Sequence, residues 1–450
     1  RRRHTRCLSD WSSDVCSSDL VVSLDAVSSK DLTLLKTLPN FSKFLSQGAL
    51  IERVHSISPT LTYPAHTTIV TGNYPIHHGI INNTLLEPSH SNPNWYWYAK
   101  AIKTPTLFDL AHEKGLTTCS ILWPVTGCSQ ITYNLPEIFP TKKWHHQLIM
   151  SGLAGSLNYQ LEILRKFGHL RQGTKQPYLD DFVMAATKYT LLRYKPNLIC
   201  VHLTDVDTHR HYTGYSSKSS IQALYRHDKR LGDIIETLKK AHLYDSTHLV
   251  LLGDHDQLPV HSFIRLNQYL VEKGFIRCNK KGRILSYDAI AKSCDGSSYI
   301  YLKDKHNLEL MKQIQSLLND LQSLPPYPIE KCLSSKESSS MGADGSCAFM
   351  VEAKKGYYFI DDLSGELIEP VHSENVGIMP HHVHSAHGYL TSKADYTTFF
   401  MASGPLIKPN FILPEGELVN HAPLLAYLLG LEFKNIDGHM EWKLLNEVNA

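Results

Sequence analysis

Three short apolar runs, each stopped by an acidic residue, constrain the fold of this chain more than any other feature. Leu20-Val21-Val22-Ser23-Leu24 precedes Asp25, Leu198 to Leu203 precedes Asp205 and Asp207, and Leu249 to Leu252 precedes Asp254. Runs this short, with little polar alternation inside them, read as strands buried on both faces, as in a parallel sheet. Between them, Asp31 to Gln47 and Ser220 to Ala241 repeat apolar residues at helical spacing. The alternation implies an α/β fold, a central mostly parallel sheet with helices on both faces. Ligands of such sheets bind beyond the carboxyl ends of the strands, so the three acidic clusters are expected to meet at one edge. A further run, Thr397 to Ala402, reads as a strand returning to the sheet.

Residues 258–380 have a different texture, with Pro325-Pro326-Tyr327-Pro328 and a Ser-rich stretch from Ser334 to Ser340. They read as an insertion or cap between two parts of one core, 20–257 and 381–436, with a flexible connection near 325–346. At the other end, Asp10 to Leu20 resembles a translated sequencing adapter, so residues 1–19 are read as a non-native leader. On that reading the native N-terminus, with any export signal, is missing.

Charge is balanced, 45 Lys+Arg against 43 Asp+Glu. No long-range field therefore recruits a nucleic-acid polymer or an anionic membrane. No apolar run approaches the roughly 18 residues of a membrane span. Nine Cys without a CxxC pair indicate neither a zinc ribbon nor a disulfide framework. The 26 His, many beside acidic residues, direct attention to metal sites.

The chemistry concentrates in four places. Pro59-Thr60-Leu61-Thr62-Tyr63-Pro64-Ala65-His66 runs into Thr71-Gly72, His78-Gly79 and Asn82-Asn83. Pro64 suits a first helical turn, so Thr62 is expected just before a helix N-terminus, where backbone N–H groups favour a phosphate. A threonine hydroxyl is a weak nucleophile, and a bound Zn²⁺ can activate it. Next, Asp205-Val206-Asp207-Thr208-His209-Arg210-His211 holds two Asp–His pairs at the same spacing, and both Asp205/His209 and Asp207/His211 could coordinate zinc. The third place is Gly253-Asp254-His255-Asp256-Gln257, and the fourth His381-His382-Val383-His384-Ser385-Ala386-His387-Gly388-Tyr389.

Taken together, these segments resemble the nucleotide pyrophosphatase/phosphodiesterase family of the alkaline phosphatase superfamily, whose pattern is Thr-x-Thr-Phe-Pro-x-His, then Thr-Gly, His-Gly and a closing Asn. The resemblance implies an alkaline-phosphatase-like sandwich. It makes Thr62 the nucleophile and Asn83 a contact to a phosphoryl oxygen, and it sets Tyr63 where the family's Phe lines the pocket for a base. It places Asp25, Asp254, His255 and Thr62 on one metal and Asp207, His211 and His387 on a second. Asp207 and His211 are preferred because Gly214 follows the histidine by three, as in the family's Asp-x-x-Gly-His-x-x-Gly. Three departures stand out: His209 and Arg210 replace the small residue and the Gly of that loop, and Asp256 replaces the Gly of Ser-Asp-His-Gly. Asp256 is expected to point to solvent, and Asp205 with His209 to stand behind the ligands if not among them.

Nitrogen and carboxylate donors without thiolate suit two Zn²⁺ most simply, and Mn²⁺ or Fe also fit them. The resemblance implies hydrolysis of a phosphodiester or phosphoanhydride through a phospho-threonine intermediate, with a small nucleotide as the suggested substrate. Monoesters and phosphonates are the alternatives, and a metal-binding pseudoenzyme the reading from another class. From Pro59 through His90 there is no Lys or Arg to clamp the extra charge of a monoester, which favours a diester. No Cys/Ser-x-Pro-x-Arg sulfatase motif surrounds Thr62. Family members mostly act outside the cytoplasm, so a periplasmic or secreted location is expected.

Overall fold

The computed structural model describes residues 19–88, 90, 92–139 and 147–446. Of the leader read over residues 1–19, residues 1–18 lie outside them. Asp19, grouped with that leader, is buried and opens the first strand, where its carboxylate accepts from the His248 N–H at 3.0 Å and lies 2.9 Å from His248 Nδ1.

The first six strands all enter one sheet: β1 (Asp19–Leu24), β2 (Ala49–His55), β3 (Thr118–Ile121), β4 (Tyr133–Leu135), β5 (Leu198–Leu203) and β6 (Leu249–Leu252). With Phe411–Glu417 and Thr398–Ser403 they form an eight-stranded sheet in the order Phe411–Glu417, β2, Thr398–Ser403, β6, β1, β5, β3, β4. Thr398–Ser403 runs antiparallel to both neighbours, and every other pairing is parallel. The three apolar runs are thus adjacent strands. Leu24 pairs with Leu203 and Ser23 with Leu252, so β1, β5 and β6 end level.

Side-chain alternation sends Leu20, Val22 and Leu24 to one face of the sheet, with helices Tyr178–Arg193 and Lys218–Lys240. Val21, Leu198 and Cys200 go to the other, with helices Thr62–Thr71, Leu107–Glu113 and His421–Leu428. Where one helix was expected over 31–47, Leu32–Leu35 ends and Pro39, lacking an N–H to continue a ladder, starts Pro39–Ser46.

Residues 258–380 carry their own apolar core, built on strands such as Ala289–Ser293, Ser297–Leu302 and Phe349–Ala353 and on helix Leu308–Ser323. The connection expected to be flexible is regular structure. Ile329–Ser334 is a strand paired with Phe349–Ala353, and the serines form helix Ser335–Ser340, started by a capping box of Ser334 and Glu337. Among the described residues no helix is long and apolar enough to cross a membrane.

Candidate active site

Thr62 is the first residue of helix Thr62–Thr71, one place further in than expected, and Leu61 before it is extended and supplies no side-chain cap. The first N–H groups of a helix lack intrahelical partners, so this end is an uncapped donor set. One of them is used: Tyr63 N–H donates to Asn83 Oδ1 at 2.9 Å, which fixes the Asn83 carboxamide beside Thr62. On the opposite side His66 Nδ1 reaches the Thr62 carbonyl at 2.8 Å, and Gly388 N–H donates to the Thr60 carbonyl at 3.0 Å. The threonine is clamped at the carboxyl edge of the sheet.

Asp25 follows β1 directly, and Asp254 and His255 follow β6. His255 Nε2 lies 3.1 Å from Thr62 Oγ1, 3.2 Å from Asp254 Oδ2 and 3.5 Å from Asp25 Oδ1. Asp25 Oδ1 and Asp254 Oδ2 are buried and have no hydrogen-bond partner. Burial, then the neighbouring charges of Asp207 and Asp254, drive the Asp25 carboxyl well above its ordinary range. His202 meets only the other oxygen of Asp25, so the unpartnered oxygens of two buried carboxylates are left facing one another, a site for a cation.

Asp207 and His211 lie on helix Asp205–Thr213, where the spacing of four puts both on one face. Asp207 Oδ1 is 3.2 Å from His211 Nε2 and 3.9 Å from His387 Nε2. The donor atoms of Asp207, His211 and His387 fall within 4.8 Å of one another, as do those of Asp25, Asp207 and His255. Asp207 thereby joins the two clusters. Nitrogen and carboxylate donors with orphaned buried oxygens fit divalent cations, and no thiolate is among them. Asp205 and His209 sit on the other side of the helix, where Asp205 accepts from Arg226 and Arg230.

Of the crowded histidines only His387 reaches the site. His381 is exposed, the His382 ring packs 4.7 Å from Phe263, and the His384 N–H is spent on the His211 carbonyl at 2.7 Å. Gly388 explains the residue after His387: at φ +78° a Cβ there would stand 1.6 Å from the Cys294 carbonyl oxygen. Residues 294–296 thus hold this loop, and Gly296 N–H donates to the His387 carbonyl at 2.7 Å.

Asp256, expected in solvent, is buried. It lies 2.6 Å from Lys30 Nζ and accepts from the Tyr215 hydroxyl at 3.0 Å.

A groove of about 440 Å³ opens over Asp25, Thr62, Asp207, His211 and His387. Tyr63 lines it, but its ring is buried and edge-on to Trp95 at 5.1 Å, while Trp95 stands edge-on to Phe139 at 4.9 Å. Trp95 and Phe139, partly exposed, were missed by sequence reasoning, although Trp95-Tyr96-Trp97-Tyr98 is a dense aromatic run. Also missed was His202, whose Nε2 is 2.9 Å from Asp25 Oδ2 and whose Nδ1 is 3.0 Å from Glu137 Oε2. Its signal was plain: it is the one ionisable residue besides Cys200 inside the apolar run 198–203. Arg171 also lines the groove, with Nε donating to the Gly173 carbonyl at 2.8 Å.

Human ectonucleotide pyrophosphatase/phosphodiesterase family member 1 is 27% identical over 246 residues, which cover 52% of this chain and 23% of the human protein. Venom phosphodiesterase of Macrovipera lebetinus is 26% identical over 229 residues, 48% of this chain and 23% of the venom enzyme. The aligned parts are about a quarter of those relatives. The solved structure of murine ectonucleotide pyrophosphatase/phosphodiesterase 5 superposes with a TM-score of 0.66 at 19% identity, covering 95% of this chain and 100% of the murine one. The fold is therefore shared over nearly the whole length. Residues 20–390 match the family described as type I phosphodiesterase / nucleotide pyrophosphatase, a span that takes in Thr62, both carboxylate–histidine clusters and residues 258–380, and the chain belongs to that family.

Proposed function

We propose that the protein is a metal-dependent phosphodiesterase that hydrolyses phosphodiester or phosphoanhydride bonds of small nucleotides through a phospho-threonine at Thr62. The observation that carries the reading is the convergence of Thr62 Oγ1 and His255 Nε2 on the unpartnered oxygens of Asp25 and Asp254, beside a second cluster of Asp207, His211 and His387. Asp25, Asp254 and His255 with Thr62 would hold one Zn²⁺, and Asp207, His211 and His387 the other. Bound there, two such ions supply Lewis-acid stabilisation of the attacking and leaving oxygens and lower the pKa of hydroxyl and water.

The protein's own groups supply position. Asn83, fixed by Tyr63 N–H, keeps its NH₂ for a phosphoryl oxygen, and the helix N-terminus adds N–H donors toward the same charge. Thr62 Oγ1 forms the bond to phosphorus as the ester oxygen leaves. Water on the Asp207/His211/His387 side then cleaves the phospho-threonine and returns the hydroxyl. Trp95 and Phe139 offer aromatic faces and edges to a base or similar ring beside the nucleophile. By kinship with relatives named ectonucleotide pyrophosphatase/phosphodiesterase and venom phosphodiesterase, an extracytoplasmic location goes with this reading.

Arg171 keeps a second reading in play, because a guanidinium lining the groove could meet the extra charge of a monoester. Hydrolysis of bis-p-nitrophenyl phosphate against p-nitrophenyl phosphate, before and after chelation and zinc restoration, separates the two. Diester preference that disappears on chelation, returns with zinc and is absent from Thr62→Ala is the expected outcome. A monoester preference lost in Arg171→Met would favour the second reading, and turnover surviving in Thr62→Ala would remove Thr62 as nucleophile.

A further inference from the structure

Two of the positions at which the chain departs from the family's pattern, Arg210 and Asp256, belong to one buried network. Arg210 lies on helix Asp205–Thr213 immediately before His211 and is 2% exposed. Its guanidinium donates to the Ala26 carbonyl, next to Asp25, and to Asp31 Oδ1 at 2.7 Å. The same guanidinium lies 3.9 Å over the ring of Tyr215. The Tyr215 hydroxyl donates to Asp256 Oδ1 at 3.0 Å and meets Ser28 Oγ at 3.0 Å. Asp256, next to His255 and 1% exposed, is closed on its other oxygen by Lys30 at 2.6 Å. The segments joined are the loop after β1, the loop after β6 and the helix that follows β5. At each junction the network is anchored within one residue of a member of the metal clusters.

We propose that Arg210, Tyr215 and Asp256 form a cross-brace that sets the separation of the two ligand clusters, so that all three are positioning residues for the reaction. This rests on the reading that the clusters hold two cations. Two in-line oxygens are stabilised by a metal pair only at a narrow separation, about 3.5 to 4 Å. Asp25, Asp254 and His255 come from β1 and β6, whereas Asp207 and His211 come from a helix that could slide against them. Glycine at 210 or 256 would have no side chain with which to tie these elements together. The chain instead buries ionised groups that are expensive to desolvate, where an apolar pair would pack as well. What the charges add is a fixed register, because a guanidinium fork, a phenol and a carboxylate are satisfied in one arrangement.

The test compares wild type with Arg210→Met, Asp256→Asn, the double variant and Tyr215→Phe. Metal-free protein is titrated calorimetrically with Zn²⁺, kcat and KM are measured on bis-p-nitrophenyl phosphate, and the spin coupling of protein loaded with two Mn²⁺ is recorded. A brace predicts that the variants still take up two ions. It predicts kcat lower by about 10- to 100-fold with KM nearly unchanged, altered manganese coupling, and a double variant no worse than the poorer single. Tyr215→Phe keeps the ring under Arg210 and removes only the hydroxyl, so it reads the brace even if Arg210→Met fails to fold; its coupling should shift and its kcat fall by less. Wild-type coupling and kcat in all folded variants, or independent additive losses, would overturn the brace alone. Uptake of fewer than two ions by wild type would overturn the reading of the site instead.

Discussion

The two faces of helix Asp205–Thr213 carry the same side chains at the same spacing and do different work. Asp205 precedes His209 by four and Asp207 precedes His211 by four, yet two residues of helix turn the pairs about 200° apart. Asp205 meets Arg226 as a two-pronged fork at 2.6 and 2.7 Å, with Arg230 at 2.7 Å, and is fully buried. Asp207 meets imidazoles, the Gln257 amide and the carboxylate of Asp25 within the same cluster. Burial opposes the charge of both. For Asp205 the Arg226 bond, His209 and Arg230 outweigh it, and for Asp207 it is His211, His387 and His255, so both carboxyls fall below their ordinary range. The lesson is that ligand spacing alone does not make a metal site. A carboxylate closed by arginines is already neutralised, whereas one surrounded by imidazoles and further carboxylates is left for a cation.

The comparison breaks most visibly at Asp207. Asp207→Asn should cut diester turnover by about 10³-fold or more, because several kcal/mol of metal-derived stabilisation go with that ligand. Zinc uptake should fall from two equivalents toward one, and the melting temperature of the metal-free protein should fall modestly, because His211, His387 and His255 lose the carboxylate whose attraction outweighs its burial. Asp205→Asn should do the reverse. It should keep two equivalents of zinc and most of the turnover, and lose about 3 kcal/mol in urea unfolding, since Arg226 and Arg230 then face an uncharged amide. Arg230 retains Asp180 at 3.2 Å, which holds the loss to the lower part of the range for a broken buried pair. Equal zinc loss in the two variants would mean that the faces are not distinct.

Much of the fold and of the site is legible in the amino-acid sequence. Three apolar runs ending in acids do become adjacent strands, because β1, β5 and β6 are buried on both faces and pure pattern suffices there. Asp25, Thr62, Asp207, His211, Asp254, His255 and His387, far apart along the chain, lie together in the fold. Pattern does not decide orientation. The choice between Asp205/His209 and Asp207/His211 depends on Arg226 and Arg230, one turn apart on a helix that begins only after Gly214. Asp256 reads as solvent-facing because a single charged residue beside a motif usually lies there. Its partners, Lys30 and Tyr215, are over 200 and about 40 residues away in sequence. His202 hides in a strand as a lone polar residue, and its role is visible only where Asp25 and Glu137 take its two nitrogens.

Acid unfolding sharpens the same contrast more gently. The depressed carboxyl of Asp205 contributes stability that is complete above the ordinary aspartate pKa of about 3.9 and is lost as pH falls through its lower folded value. The stability gap between wild type and Asp205→Asn should therefore be constant from pH 7 to about 5 and narrow below about 4. A gap that persists unchanged into stronger acid would show that packing around Asp205, and not its charge, accounts for the loss.

The smallest effect belongs to the histidine that shares this face. His209 Nε2 lies 3.3 Å from Asp205 Oδ1, but both oxygens of that carboxylate already accept from arginines, and the His209 side chain is 21% exposed. Removing it should cost little, because no buried donor or acceptor is left without a partner. His209→Gln is expected to change unfolding free energy by no more than about 0.5 kcal/mol and kcat by less than about twofold, with two equivalents of zinc retained. His211→Gln, two residues on and at the same distance from its own aspartate within 0.1 Å, should instead lose the second equivalent and most turnover. If His209→Gln were to lose zinc as His211→Gln does, the helix would have to present its other face to the metals, and the proposed placing of Asp207 and His211 on the second ion would fall with it.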